Sequence, residues 1–116
     1  MADYEDFTID QGADVAIELH LKEADGSVKD LTAHTVTSKM KRNYNSNEGV
    51  DFTCAVQSPP TDGIAIMSLT NIQTDGLNPS GRYVYDVELS YVDTSGNLVI
   101  ERILEGKIKI NPSVTK

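Results

Sequence analysis

The chain has 116 residues, 39% of them hydrophobic, and carries ten Lys and Arg against eighteen Asp and Glu for a formal charge of −8. That is the length of one ordinary domain with enough apolar material for a core, which excludes two independently folding units and global disorder. The acidic balance opposes docking on a phosphate backbone or an anionic membrane surface, so neither nucleic acid nor membrane is an expected partner.

In chain order, Asp6 to Ile9 reads as a short first strand with Phe7 and Ile9 in phase, ended at Gln11-Gly12. Asp14 to Lys22 alternates cleanly: Val15, Ile17, Leu19 and Leu21 take one face and Glu18, His20 and Lys22 the other, the mark of a strand with one wet side. Ala24-Asp25-Gly26-Ser27 supplies a tight reversal, and Val28 to Leu31 reads as its return arm. Thr32 to Arg42 sets Val36, Ser38 and Met40 against Thr35, Thr37 and Lys39, which suits a partly exposed strand. The polar run Asn43 to Gly49 cannot fill a core and is expected as a surface loop. Val50 to Gln57 resumes the strand pattern with Phe52, Cys54 and Val56 in phase, until Ser58-Pro59-Pro60 ends it.

Ile64 to Leu69 is a further short strand whose apolar residues break strict alternation, as burial on both sides or a bulge requires. Leu69 to Leu77 holds the one plausible helical turn, with Thr70 as cap and Gln73 three residues on as in a capping box. Tyr83, Tyr85, Val87, Leu89 and Tyr91 then share one strand face. Asp93 to Asn97 turns this strand into a second arm, Leu98 to Ile110. There Ile100, Leu104, Ile108 and Ile110 are expected on one side, and Val99, Glu101, Ile103, Glu105, Lys107 and Lys109 on the other. Gly106 inside that arm implies a bend or a close backbone approach.

Seven to eight short strands with one helical turn predict an all-β chain, most economically two packed antiparallel sheets. A small barrel shares the same strand inventory. One domain is expected over 1–116, its ordered core about residues 5–112, with a short C-terminal tail.

Residues able to do chemistry are sparse. His20 and His34 stand on polar strand faces with no second ligand at metal spacing. Cys54 is the only cysteine, so the chain forms no internal disulfide; it reads as a small core residue. Asp86 with Glu88, and Glu101 with Glu105, are same-face carboxylate pairs, but a solvated sheet face explains them better than acid–base catalysis. Asp25, Asp62 and Asp93 sit in turns that also offer oxygen ligands for calcium, without the spacing of a calcium loop. The expectation is no enzyme, no cofactor and no metal. No apolar run is long enough to span a bilayer and no secretory leader is expected, which fits synthesis in a reducing cytoplasm. Contact residues are expected in the Asn-rich loop, at Tyr44, Asn45 and Asn47, at the hairpin tip Asp93 to Asn97, and at Tyr91 in the strand before that tip.

Three pieces resemble a known family: Asp14 to Leu21 leading into Ala24-Asp25-Gly26 and Asp30-Leu31-Thr32; Leu69 to Asp75; and Gly81-Arg82-Tyr83-Val84-Tyr85-Asp86-Val87-Glu88 followed by Leu104-Glu105-Gly106 and Pro112. They resemble the small immunoglobulin-like β-sandwich domains of tailed-phage virion proteins, including the N-terminal domain of upper baseplate proteins. The resemblance implies an immunoglobulin-like antiparallel sandwich that is a non-enzymatic structural part of a virion, in the tail, baseplate or neck. It would assemble with other virion proteins or as a homo-oligomeric, symmetric array. A capsid-decorating protein, or a recognition module for host glycan or surface protein, is the alternative. It also implies a core of Ile17, Leu19, Tyr83, Tyr85, Leu89, Ile100 and Leu104, with the hydroxyl of Tyr83 or Tyr85 returning to the backbone at the preceding corner.

Overall fold

The structure, a computed structural model, describes residues 3–46 and 49–114. Among the described residues there are nine strands: β1 (Asp3–Tyr4), β2 (Phe7–Asp10), β3 (Val15–His20), β4 (Thr35–Lys41), β5 (Val50–Asp51), β6 (Thr53–Val56), β7 (Ile64–Leu69), β8 (Arg82–Val92) and β9 (Leu98–Asn111). A single helical turn, α1 (Asn71–Asp75), and a 3-10 turn at Pro60–Asp62 complete the set. The larger sheet runs β1-β9-β8-β4-β5 with β2 also on β9; the smaller runs β3-β7-β6. The architecture is therefore a sandwich and not a barrel.

Two departures from the antiparallel, seven-to-eight-strand expectation have physical causes. Alternation fixes which face a residue takes but not which way its neighbour runs, and both β1 and β2 pair parallel with β9, making the larger sheet mixed. The continuous run expected from Val50 to Gln57 divides at Phe52: β5 pairs with β4 in one sheet and β6 with β7 in the other. Phe52 marks the crossing, its ring buried and its N–H donating to the Ser38 carbonyl at 3.0 Å.

The core lies between the sheets. Leu19, Ala65, Met67 and Leu69 from the smaller sheet face Val36, Met40, Tyr85, Val87, Leu89, Ile108 and Ile110 from the larger, while Leu31 and Leu77 are buried from the connections. Each fully buried large aliphatic contributes about 1.5–3 kcal/mol relative to exposure. In β7 the inward residues are Ala65, Met67 and Leu69, with Ile64 and Ile66 half-buried on the other side, so the strand keeps strict alternation and needs no bulge.

The helical turn forms as its sequence dictates. Thr70 Oγ1 accepts from Gln73 N, and Gln73 Oε1 accepts from Thr70 N at 2.9 Å, closing a capping box. Thr74, buried in this turn, accepts from Gly12 N at 3.0 Å and stands 2.8 Å from the Ala13 carbonyl, tying α1 to the turn between β2 and β3.

In the β8–β9 hairpin the register jumps: Val87 faces Leu104 but Glu88 faces Arg102, leaving Ile103 as an extra residue in β9. Such a bulge reverses which side chains point inward on one side of it. Leu104, Ile108 and Ile110 are buried as the alternation requires, but beyond the bulge Val99, Glu101 and Ile103 become the half-buried set and Ile100 is 58% exposed. Ile100 therefore does not belong to the core, and Glu101 and Glu105 do not share a face. Alternation read straight through a bulge assigns every residue past it to the wrong side.

Gly106 answers to a close backbone approach. β1 and β2 are separate strands because the chain arches at Glu5 and Asp6 across β9, and a Cβ at Gly106 would lie 2.0 Å from the Glu5 carbonyl oxygen. The arch is held by Glu5 N donating to Glu105 O at 2.9 Å, by Lys107 N donating to Asp6 Oδ1 at 2.9 Å, and by the Tyr85 hydroxyl donating to Glu5 O. Tyr83 makes the corner bond: its hydroxyl accepts from Asn78 N at 2.9 Å, five residues upstream.

Candidate functional site

The outer face of the larger sheet is organised in cross-strand rows fixed by the register. One row runs Asp51, Lys39, Asp86, Glu105 and Tyr4 across five strands. The next is Thr37, Glu88 and Arg102; beyond it come Thr35, Ser90 and Ile100, and finally Val92 with Leu98. On the other side stand Lys41, Val84 and Lys107. The inward partners on these strands are the core residues above, so the same alternation that builds the core sets this face outward.

Ion pairs tie the centre of the face. Arg102 lies between Asp86 at 3.4 Å and Glu105 at 3.5 Å, and Lys39 is 3.5 Å from Asp51. These groups are between one-third and three-quarters exposed, so the pairs position side chains more than they stabilise the fold. Lys41 and Glu88 have no ion-pair partner among the described residues. A cleft of about 440 Å³ opens over this centre, lined by Thr37, Lys39, Lys41, Asp51, Asp86, Glu88, Arg102 and Glu105, with Tyr44 on its wall. Tyr44 is 76% exposed.

Past the charged centre the face turns apolar. β4 pairs with β8 only as far as Ser90, and β1 and β2 pair with β9 only from Leu104 onward, so among the described residues the far end of the hairpin has no strand on either flank. Val92, Leu98 and Ile100 are 64%, 66% and 58% exposed there, adjacent in register on one side of the sheet.

The residues expected as contacts divide. Tyr44 stands on the cleft, and Asn45 beside it is exposed, its N–H donating to Asn43 Oδ1 at 3.0 Å. Asn47 lies outside the described residues. Tyr91 points to the opposite side of the hairpin, half-buried, where its ring stacks on His34 with centroids 4.5 Å apart and its hydroxyl donates to Glu101 Oε1 at 3.1 Å. The bond to Glu101 is the first cause of a Tyr91 phenol held above its ordinary value. Of the expected core residues, Leu19, Tyr83, Tyr85, Leu89 and Leu104 are buried and Ile17 is half-buried against them. Sequence reasoning missed Thr37, Lys41 and Arg102 as one surface, and Val92 with Leu98 as another. Their strand parity was visible, but the pairing that sets them side by side was not.

The remaining polar groups are engaged in local structure. Asp25 accepts from Ser27, Asp30 from Thr32, and Asp93 from Ser95 N and Asn97 N, each within its own turn. The hydroxyl and backbone bonds from Ser27 and Thr32 hold the Asp25 and Asp30 carboxyls below the usual carboxylate range. His20 Nε2 is 2.8 Å from Glu18 Oε1 on the outer face of the smaller sheet. Arg42 donates to the Ser80 carbonyl and lies 4.9 Å over the Tyr83 ring, bracing the entry to β8. Among the described residues no group of three His, Cys, Asp or Glu stands together in a way that could hold a metal.

No protein-family model matches the chain, and no curated protein matches it in sequence. Solved structures do match it. Murine CRIg is similar over 92% of each chain with a TM-score of 0.55 and 14% identity. At that identity the likeness is one of architecture, and with the two-sheet topology it establishes an immunoglobulin-like β-sandwich.

Proposed function

We propose that this chain is a non-enzymatic recognition domain that holds a protein partner against the outer face of its larger sheet. The observation that carries the reading is the exposed set Val92, Leu98 and Ile100, adjacent on one face of an unflanked hairpin end and continuous with a charged, ion-paired surface. An apolar centre beside a polar surround is the composition of a protein contact, and contiguous exposed apolar surface on a domain is a mark of an interaction site. The immunoglobulin-like architecture, shared with murine CRIg, supports a recognition role by analogy of fold.

The test is site-specific photo-crosslinking in the cell or particle that contains the protein. A crosslinker at Ile100 or Leu98 is expected to capture one partner in good yield, and one at Glu18 on the smaller sheet to capture none. Equal capture from both faces, or none from the hairpin, overturns the reading.

A second reading is a structural role in a tailed-phage virion, made in the host cytoplasm and assembled with other virion proteins or with copies of itself. Its support is the sequence resemblance, together with β3 and β6 as outer strands of a three-stranded sheet with no further strand on either side among the described residues. Open edges of this kind pair readily with neighbouring copies in an array. Mass spectrometry of purified particles tests it: the chain is expected at a fixed copy number, and its absence from particles removes the reading.

A further inference from the structure

We infer that the cleft over the centre of the larger sheet is a binding site for a neutral saccharide. The inference concerns the cleft alone and stands or falls independently of the apolar hairpin end. Its volume of about 440 Å³ lies within the range of small-molecule sites. What selects the ligand class is the charge of the lining. Three cations, Lys39, Lys41 and Arg102, alternate with four carboxylates, Asp51, Asp86, Glu88 and Glu105.

An apolar ligand would strip water from these groups and return no hydrogen bonds. A polyanion meets the carboxylates, and a polycation meets the two lysines and the arginine. A ligand carrying many hydroxyls and no charge meets neither penalty. Each hydroxyl donates to a carboxylate and accepts from an ammonium or guanidinium at once, and such bonds to ionised groups are stronger than neutral ones. The donors are already positioned: Asp86 and Glu105 hold the Arg102 guanidinium, and Asp51 holds Lys39. Among the described residues Glu88 and Lys41 make no ion pair, which leaves both to the cleft. Tyr44, exposed on the wall, offers a ring to cover the C–H face of a pyranose while its hydroxyl stays in water.

The test is an amide chemical-shift titration of the whole labelled chain with four neutral disaccharides, maltose, cellobiose, lactose and N,N′-diacetylchitobiose, beside a sulfated heparin fragment and a trilysine peptide. At least one neutral disaccharide is expected to shift the amides of Thr37, Lys39, Asp86 and Glu88 saturably at millimolar concentration. Tyr44→Ala should weaken that binding about tenfold, the effect of losing one aromatic face. Glu88→Gln should weaken it several-fold while leaving the thermal midpoint unchanged, because Glu88 makes no ion pair among the described residues. The inference is overturned if none of the four shifts those amides, if only the sulfated or the cationic probe does, or if both variants bind as the parent does.

Discussion

Replacing Gly106 with alanine tests the most specific packing relation in the fold. The added Cβ would stand 2.0 Å from the Glu5 carbonyl oxygen and 2.8 Å from its carbon, both backbone atoms, against 3.4 Å for an ordinary contact. The arch from Glu5 to Asp6 must therefore retreat by about 1.4 Å, the difference between those two distances. A retreat of that size breaks the bond from the largely buried Tyr85 hydroxyl to Glu5 O and lengthens the bond from Lys107 N to Asp6 Oδ1. Leaving a buried hydroxyl without a partner costs about 1–3 kcal/mol, and weakening an exposed bond to a carboxylate adds about 1 kcal/mol. Alanine in a strand otherwise gains about 0.5–1 kcal/mol over glycine from the unfolded chain. The losses exceed the gain, so Gly106→Ala is expected to destabilise by about 1–3 kcal/mol and to lower the melting midpoint by about 10 °C.

Urea unfolding followed by tyrosine fluorescence and circular dichroism measures this, since the chain has five Tyr and no Trp. Tyr85→Phe alone should cost about 1 kcal/mol. Added to Gly106→Ala it should cost less than that, because both changes remove one bond. A neutral or stabilising Gly106→Ala, or full additivity of the pair, would refute the account of the arch.

Further predictions follow from the bulge, the burial and the cap. Leu104→Ala should cost about 2–5 kcal/mol as a core truncation, whereas Ile100→Ala should stay within about 0.5 kcal/mol of the parent; the reverse order in chemical denaturation would place the bulge elsewhere. Burial, and then Glu5 and Asp6, raise the Tyr85 phenol above its ordinary value. Its contribution to stability is full below about pH 10, where the unfolded phenol begins to ionise, and is lost as pH rises toward the folded value. The unfolding midpoint should accordingly fall on the alkaline side more steeply in the parent than in Tyr85→Phe. Burial also pushes the Cys54 thiol up, so a disulfide reagent at neutral pH should modify the folded chain slowly and the urea-unfolded chain fast. Thr70→Ala removes the cap of α1 and should cost about 1 kcal/mol by thermal melting.

What the sequence revealed and what it concealed follow from how each signal arises. The capping box at Thr70 and Gln73 and the inward set Val87 and Leu89 are local, each depending on spacing along one strand or turn, and the glycine inside β9 was a local sign of a close approach whose partner, Glu5, was not. The direction of β1 and β2, the crossing at Phe52 and the bulge at Ile103 depend on which strand lies alongside which, and alternation is the same for either neighbour. The candidate surface has the same divided origin. Tyr44 was visible as an aromatic in a polar loop, but the set of Lys39, Asp86 and Glu88 with which it lines one cleft required the pairing of the strands. Tyr91 is expected as a contact residue, but only the register shows that its side chain lies on the opposite side of the hairpin from Val92, half-buried against His34 and Glu101.

We propose the outer face of the larger sheet as the working surface of this domain. A side-chain-resolution density map of the chain bound in its native assembly tests it most directly. The account predicts that the contact covers Val92, Leu98 and Ile100 and leaves the outer face of the smaller sheet, with Glu18 and His20, in solvent. A contact confined to β3, β6 or the outer face of the smaller sheet, with the hairpin end still exposed, would contradict it.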